Sequence, residues 1–113
     1  MISKSGKLHP TALFQTTIDI NLVGTFLCAK YAANHMITLD AVGERARPER
    51  GVIITVSSSL AEDGPRHFTA YSASKAAIMG MMVPMARDLG KYSIRVVSIA
   101  PALIRTAMTE GSD

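Results

Sequence analysis

Two short apolar runs, Gly51–Val56 (GVIITV) and Ile94–Ile99 (IRVVSI), stand on either side of a long helical stretch. Runs of that length, rich in β-branched residues and bounded by turn-formers, predict strands. The first is uninterrupted, as expected of a strand covered on both faces in a parallel sheet. Between them, from about Ala70 to Tyr92, the chain is rich in Ala and Met and predicts a helix. Pro84 should kink that helix or weaken one turn, and Gly90 suits its end. Pro101 stops the second strand. Strand, crossover helix and strand in this order make the βαβ unit of a doubly wound sheet, so the fold class is α/β.

Upstream, residues from about 11 to 39 predict another long helix. Phe14, Ile18, Leu22, Phe26 and Ala29 step mostly by four, and Val23 and Leu27 widen the stripe. Pro10 and Thr11 give it a start. So wide an apolar face predicts burial on more than one side. Cys28, set among Phe26, Leu27 and Ala29, reads as a buried helix residue rather than a nucleophile. Met79, Met81, Met82 and Met85 read as adaptable core filler. Residues 1–10 form a flexible lead-in, Leu60 to Thr69 a loop holding Gly64 and Pro65, and about 109–113 a flexible tail. The stretch Asp40 to Arg50, DAVGERARPER, reads first as a solvated loop. A less favoured reading makes Arg45, Arg47 and Arg50 a recognition cluster for an acidic cosubstrate.

Length and charge narrow the function. The 113 residues suffice for one small domain, 1–113. A net charge of +3, with no basic stripe, argues against nucleic-acid binding. The single cysteine excludes an internal disulfide and fits a reducing intracellular compartment, cytoplasm or mitochondrial matrix. No apolar run approaches the roughly 20 residues of a membrane span, so no membrane role is expected. Residues 1–8 are too short and polar for a signal peptide. His9, His35 and His67 lack metal-ligand spacing, and no metal is expected.

The chemistry concentrates in SSSLAEDGPRHFTAYSASK, from Ser57 to Lys75. Tyr71 and Lys75 are four apart, so on a helix they leave one face a turn apart. An ammonium near a phenol favours the phenolate, which makes tyrosine a usable acid/base near neutrality. A serine at the carboxyl end of the preceding strand is placed to hold a substrate oxygen beside it. Ser57, Ser58 and Ser59 all compete for that role. A lone Tyr-x-x-x-Lys is more often an ordinary pair of helix neighbours. What raises it here is the order of strand, serines, loop, YSASK, apolar helix and second strand.

In NLVG at Asn21 to Gly24, GVIITVSS at Gly51 to Ser58, YSASK at Tyr71 to Lys75 and IRVVSIAPALIRT at Ile94 to Thr106, the chain resembles the short-chain dehydrogenases/reductases. The likeness runs from about Phe14 to Met108. Within the family, YSASK, MARDLG and IRVVSIAP are most similar to the 3-hydroxyacyl-CoA dehydrogenase type 2 group. The resemblance implies a partial Rossmann-like sheet, the carboxyl-side catalytic half, because the family's Gly-rich phosphate turn and acidic ribose position do not occur here. It implies an oxidoreductase interconverting a secondary alcohol and a ketone with NAD or NADP, NAD being favoured by the subgroup. Small-molecule alcohols or ketones would be substrates, an acyl-CoA among them.

Residue by residue, the resemblance makes Tyr71 the proton donor or acceptor at the reacting oxygen. It gives Lys75 the ribose hydroxyls of the nicotinamide and makes Ile104 and Thr106 contacts of its carboxamide. The family's usual serine-to-tyrosine separation falls on Ser58, with Ser59 one short and Ser57 one long. Asn21 matches the helix asparagine that bends the backbone and supports a proton relay. A helix-interior polar residue bonded to nearby backbone is nearly as good a reading of it. The family's Pro-Gly is Pro101-Ala102 here, and Ala resists a left-handed turn. Helices of about 11–39 and 70–92 commonly pair between subunits in the family, so a homo-oligomer is expected. The rival reading is a non-catalytic module that associates with full-length subunits through those helices.

Overall fold

The computed structural model describes residues 1–2, 5–43 and 48–104. Its first helical rod comprises α1 (Thr11–Ile18), a π-helical turn (Asp19–Val23) and α2 (Gly24–Met36). Then come β1 (Gly51–Val56), a 3-10 turn (Ser59–Ala61), α3 (Thr69–Gly90) and β2 (Ile94–Ile99). Ahead of the rod, Ile2 and Leu8 form an isolated antiparallel bridge. The amides of Leu13 and Phe14 donate to the Pro10 carbonyl, which starts α1 without a side-chain cap.

β1 and β2 are parallel, in register from Gly51 opposite Ile94 to Val56 opposite Ile99. The chain is thus a mixed α/β fold with a parallel Rossmann-like sheet. Both helical elements lie on one face of it. Ile53 and Ile94 pack there with Ala29 and Ala33 of α2, and Met85 and Leu89 of α3 close the cluster. Small alanines on α2 let its backbone approach the sheet, and the unbranched methionine fills the gap.

Several sequence expectations need correcting. β1 is covered on one face only: Ile53 and Thr55 are buried, whereas Ile54 and Val56 are 58% and 48% exposed. An apolar run reports that a face is suited to burial, and here the second face has no layer upon it. The rod is likewise buried along one narrow side rather than several, at Ala29 and Ala33, and leaves Ile20, Val23, Phe26 and Leu27 outside. Cys28 is exposed for the same reason. Pro84 sits inside α3 (Thr69–Gly90), as its place in the sequence implied. Gly90 ends α3 as expected, but the left-handed residue after it is Ser93, at φ 59°. The Ser93 amide donates to the Gly90 carbonyl and its own carbonyl accepts from Arg50, so the turn leads straight into the sheet.

At 26 residues, Thr11–Met36 is also long and apolar enough to cross a membrane by length and composition, contrary to expectation. Its Thr, Gln and Asn residues dilute the apolar run without breaking it. Of the arginines in the less favoured cluster reading, Arg45 and Arg47 lie outside the described residues. Arg50 donates through Nε to the Leu39 carbonyl and through Nη1 to the Tyr92 carbonyl. Glu49 pairs with Arg95, at 2.8 Å to Nε and 3.3 Å to Nη2.

Candidate active site

Pairing between the strands continues past their ends. The Ser57 amide donates to the Ile99 carbonyl at 2.8 Å and the Ser59 amide to the Pro101 carbonyl at 3.0 Å. The serine run is therefore strapped to the segment after β2, at the carboxyl edge where open α/β sheets take ligands. Ala102 has no left-handed backbone, since among the described non-glycine residues only His67 and Ser93 have positive φ. The Pro101-Ala102 turn accordingly runs without the glycine conformation.

The three serines separate by their partners. Ser57 is buried and its hydroxyl donates to the Lys75 carbonyl at 2.7 Å, which ties β1 to α3. Ser58 is buried too, extended at φ −161°, and its Oγ accepts from the Leu60 amide at 3.2 Å. That bond starts the 3-10 turn and fixes the oxygen's place. Ser59 is exposed. A cleft of about 290 Å³ is lined by Ser58, Ser59, Leu60, Tyr71, Leu103 and Ile104. It gathers Ser58 and Tyr71 of the expected catalytic residues, and Ile104 with Tyr71 of the expected cofactor contacts.

Tyr71 is held in the first turn of α3, with Phe68 packed edge-on against its ring at a centroid distance of 6.1 Å. Lys75 follows one turn later, its Nζ 5.6 Å from the Tyr71 ring centroid and donating to the Val56 carbonyl at 3.0 Å. The lysine lies beside the phenol rather than in the cleft. It faces a neighbouring groove of about 640 Å³ between the rod and β1. An ammonium has three N–H donors, and Val56 uses one. Thr106 lies outside the described residues.

Asn21 sits in the middle of the π-helical turn. Such turns are rare and frequent at functional sites. The Gly24 amide reaches back to the Asp19 carbonyl, and the Thr25 hydroxyl donates to the Asn21 carbonyl at 2.6 Å. The Asn21 side chain leaves the rod and donates through Nδ2 to Ser74 Oγ at 3.0 Å. Ser74 escaped the sequence reading, although its place three residues after Tyr71 in a small-residue run was a usable signal.

Ser58 and Tyr71 thus share a cleft at the carboxyl edge of a parallel pair, with Lys75 next to the phenol. The chain belongs to the short chain dehydrogenase family, whose model matches residues 2–113. It is 41% identical over 108 residues to the human 3-hydroxyacyl-CoA dehydrogenase type-2, covering 93% of this chain and 39% of that protein. The crystal structure of 3-hydroxyacyl-CoA dehydrogenase type-2 from Mycobacterium avium superposes with a TM-score of 0.87 at 31% identity, covering 96% of this chain and 42% of that one. An NAD+-bound xylitol dehydrogenase superposes with a TM-score of 0.75 at 30% identity, covering 89% and 35%. The chain thus spans about two-fifths of the length of these relatives.

Proposed function

We propose that this chain carries the proton-transfer side of an NAD(P)-dependent dehydrogenase acting on a secondary alcohol or its ketone. The observation that supports it best is the shared cleft of Ser58 and Tyr71, with the Lys75 ammonium one turn along the same helix. Tyr71 gives or takes the proton at the reacting oxygen, and the Ser58 hydroxyl holds that oxygen. Lys75 holds ribose hydroxyls and keeps a positive charge beside the phenol.

The residues present suit the nicotinamide end of NAD(P): hydroxyl donors and apolar Leu103 and Ile104 line the cleft, and the Lys75 ammonium stands in the groove beside it. Thr106 belongs to the same proposed contact. The cofactor, when bound, supplies the hydride acceptor or donor. We propose 3-hydroxyacyl-CoA as the first substrate because relatives at about 41% identity bear that name, and NAD over NADP because an NAD+-bound xylitol dehydrogenase superposes on the chain. Asn21 acts by supporting the Tyr71 turn. The protein is proposed to work as a homo-oligomer in an intracellular reducing compartment.

The test follows NADH formation with 3-hydroxyacyl-CoA and simple secondary alcohols. In a full-length context, Tyr71→Phe should abolish turnover while cofactor affinity survives; more than a few per cent residual activity would rule out the assigned proton donor. A second reading rests on the outward apolar side chains Ile20, Val23 and Phe26: a non-catalytic module that associates with full-length subunits through its long helices. Absence of turnover, together with stoichiometric binding to a full-length relative, would select it.

A further inference from the structure

Ser74 lies between Tyr71 and Lys75 in sequence, yet it is 0% exposed. Its hydroxyl accepts from Asn21 Nδ2 at 3.0 Å and donates to the Tyr71 carbonyl at 2.7 Å. A hydroxyl has one proton to give, so the polarity of this chain is fixed: amide to hydroxyl to carbonyl. Serine in a helix often bonds back to a nearby carbonyl without consequence. Here the same oxygen also takes a donor from 53 positions away, on another element. That donor sits on a π-helical turn, the one irregularity in the described rod. A part-buried hydrogen-bonded link of this kind, centred on a fully buried hydroxyl, rigidifies what it joins.

We propose that Ser74 is a positioning residue, coupling the π-helical turn through Asn21 to the turn of α3 that bears Tyr71. The inference rests on the reading of Tyr71 as the proton-transfer group, but its geometry can be tested without turnover. Loss of the link frees the first turn of α3 to shift relative to Ser58. A displacement of about 1 Å at such a site costs on the order of 10²-fold in rate.

The experiment labels the tyrosine rings with ¹³C in a full-length context and assigns the Tyr71 signal with Tyr71→Phe. Ser74→Ala removes the link. Asn21→Asp keeps the shape of the side chain but replaces its donor with an acceptor, drawing the Ser74 proton away from the Tyr71 carbonyl. Each variant should move the Tyr71 ring signal and speed amide exchange from Tyr71 to Lys75, leaving Tyr31 and Tyr92 unmoved. The double variant should shift Tyr71 no further than Ser74→Ala alone. Additive shifts, an Asn21→Asp signal like that of the unaltered chain, or equal movement at Tyr31 and Tyr92 would each overturn the proposal. Asn21→Asp changes a partly exposed position, so it decides the matter if Ser74→Ala fails to fold. In turnover, Ser74→Ala should lower kcat by roughly 10- to 100-fold with KM changed by less than about twofold. An unaltered chain that never turns over would count against the proposed function alone, and the Tyr71 signals would still judge the link.

Discussion

Ser57 and Ser58 are adjacent, both buried, and bound to different tasks. The Ser57 hydroxyl is committed to the Lys75 carbonyl, so Ser57→Ala removes a part-buried tie between β1 and α3 while the carbonyl keeps its bond within the helix. It should cost about 0.5–1.5 kcal/mol in stability, read by urea denaturation, with little loss of kcat. The Ser58 oxygen accepts from Leu60 at the cleft, and its proton is proposed to serve the reacting oxygen. Ser58→Ala should lower kcat by roughly 10² or more, the scale of a lost oxygen-stabilising donor. A larger fall at Ser59 would move the reacting oxygen by one residue. Lys75→Ala removes both the donor to the Val56 carbonyl and the charge beside the phenol. It should damage cofactor affinity and turnover together, whereas Tyr71→Phe should affect turnover alone. Calorimetric titration with NADH beside steady-state kinetics separates the two.

The elements that deliver these residues are held at a few points, and those points predict where distant changes reach the site. Gly64 lies in the loop over Tyr71, and a Cβ there would collide with Ser72 Oγ and crowd the Leu60 carbonyl at 3.1 Å. Gly64→Ala should displace the loop, lower the melting temperature and reduce kcat; unchanged kinetics would show that the loop does not frame the cleft. Arg50 bonds the carbonyls of Leu39 and Tyr92, just past the ends of both helical elements. Arg50→Ala should cost about 1 kcal/mol, a charged donor's contribution at a half-exposed helix end. At this scale the sequence was informative where local pattern decides. Both strands run over the residues their β-branched runs mark, and α3 begins and ends within two residues of the expected range. The rod stops at Met36 rather than Leu39 because its last carbonyls pass into turns, with Thr38 and Leu39 donating to His35 and Met36. What pattern could not show is the π-helical turn, which adds a residue without disturbing the apolar stripe. Nor could it show that Ser74, a small residue like its neighbours, meets Asn21, since that contact depends on how two elements cross.

For the molecule as a whole, shape decides what the chain does in solution. Its radius of gyration is 17.5 Å, with extents of 59 × 29 × 22 Å. A compact domain of this length would have a radius of about 13 Å. The excess reflects a single-layer sheet with a long rod leaning on one face. Ile54, Val56, Val97 and Ile99 cover the bare face of the sheet, and Ile20, Val23, Phe26 and Leu27 the outer side of the rod. Each such side chain gains about 1.5–3 kcal/mol on full burial. A whole domain of ordinary stability has only about 5–15 kcal/mol in hand. The apolar surface left outside is therefore comparable to the entire margin, and the free edge of β1 adds unpaired backbone groups to it. These 113 residues expressed alone should form assemblies or a loosely packed state and bind NAD(H) weakly, with the cofactor's phosphates lacking any Gly-rich turn among the described residues. Phe26→Lys, on the outer side of the rod, should shift the population toward smaller species if the rod is the contact. Light scattering after size-exclusion chromatography and a cofactor titration read both effects. A monomer that unfolds cooperatively and binds NADH at micromolar concentration would show that the bare sheet face and the rod need no partner.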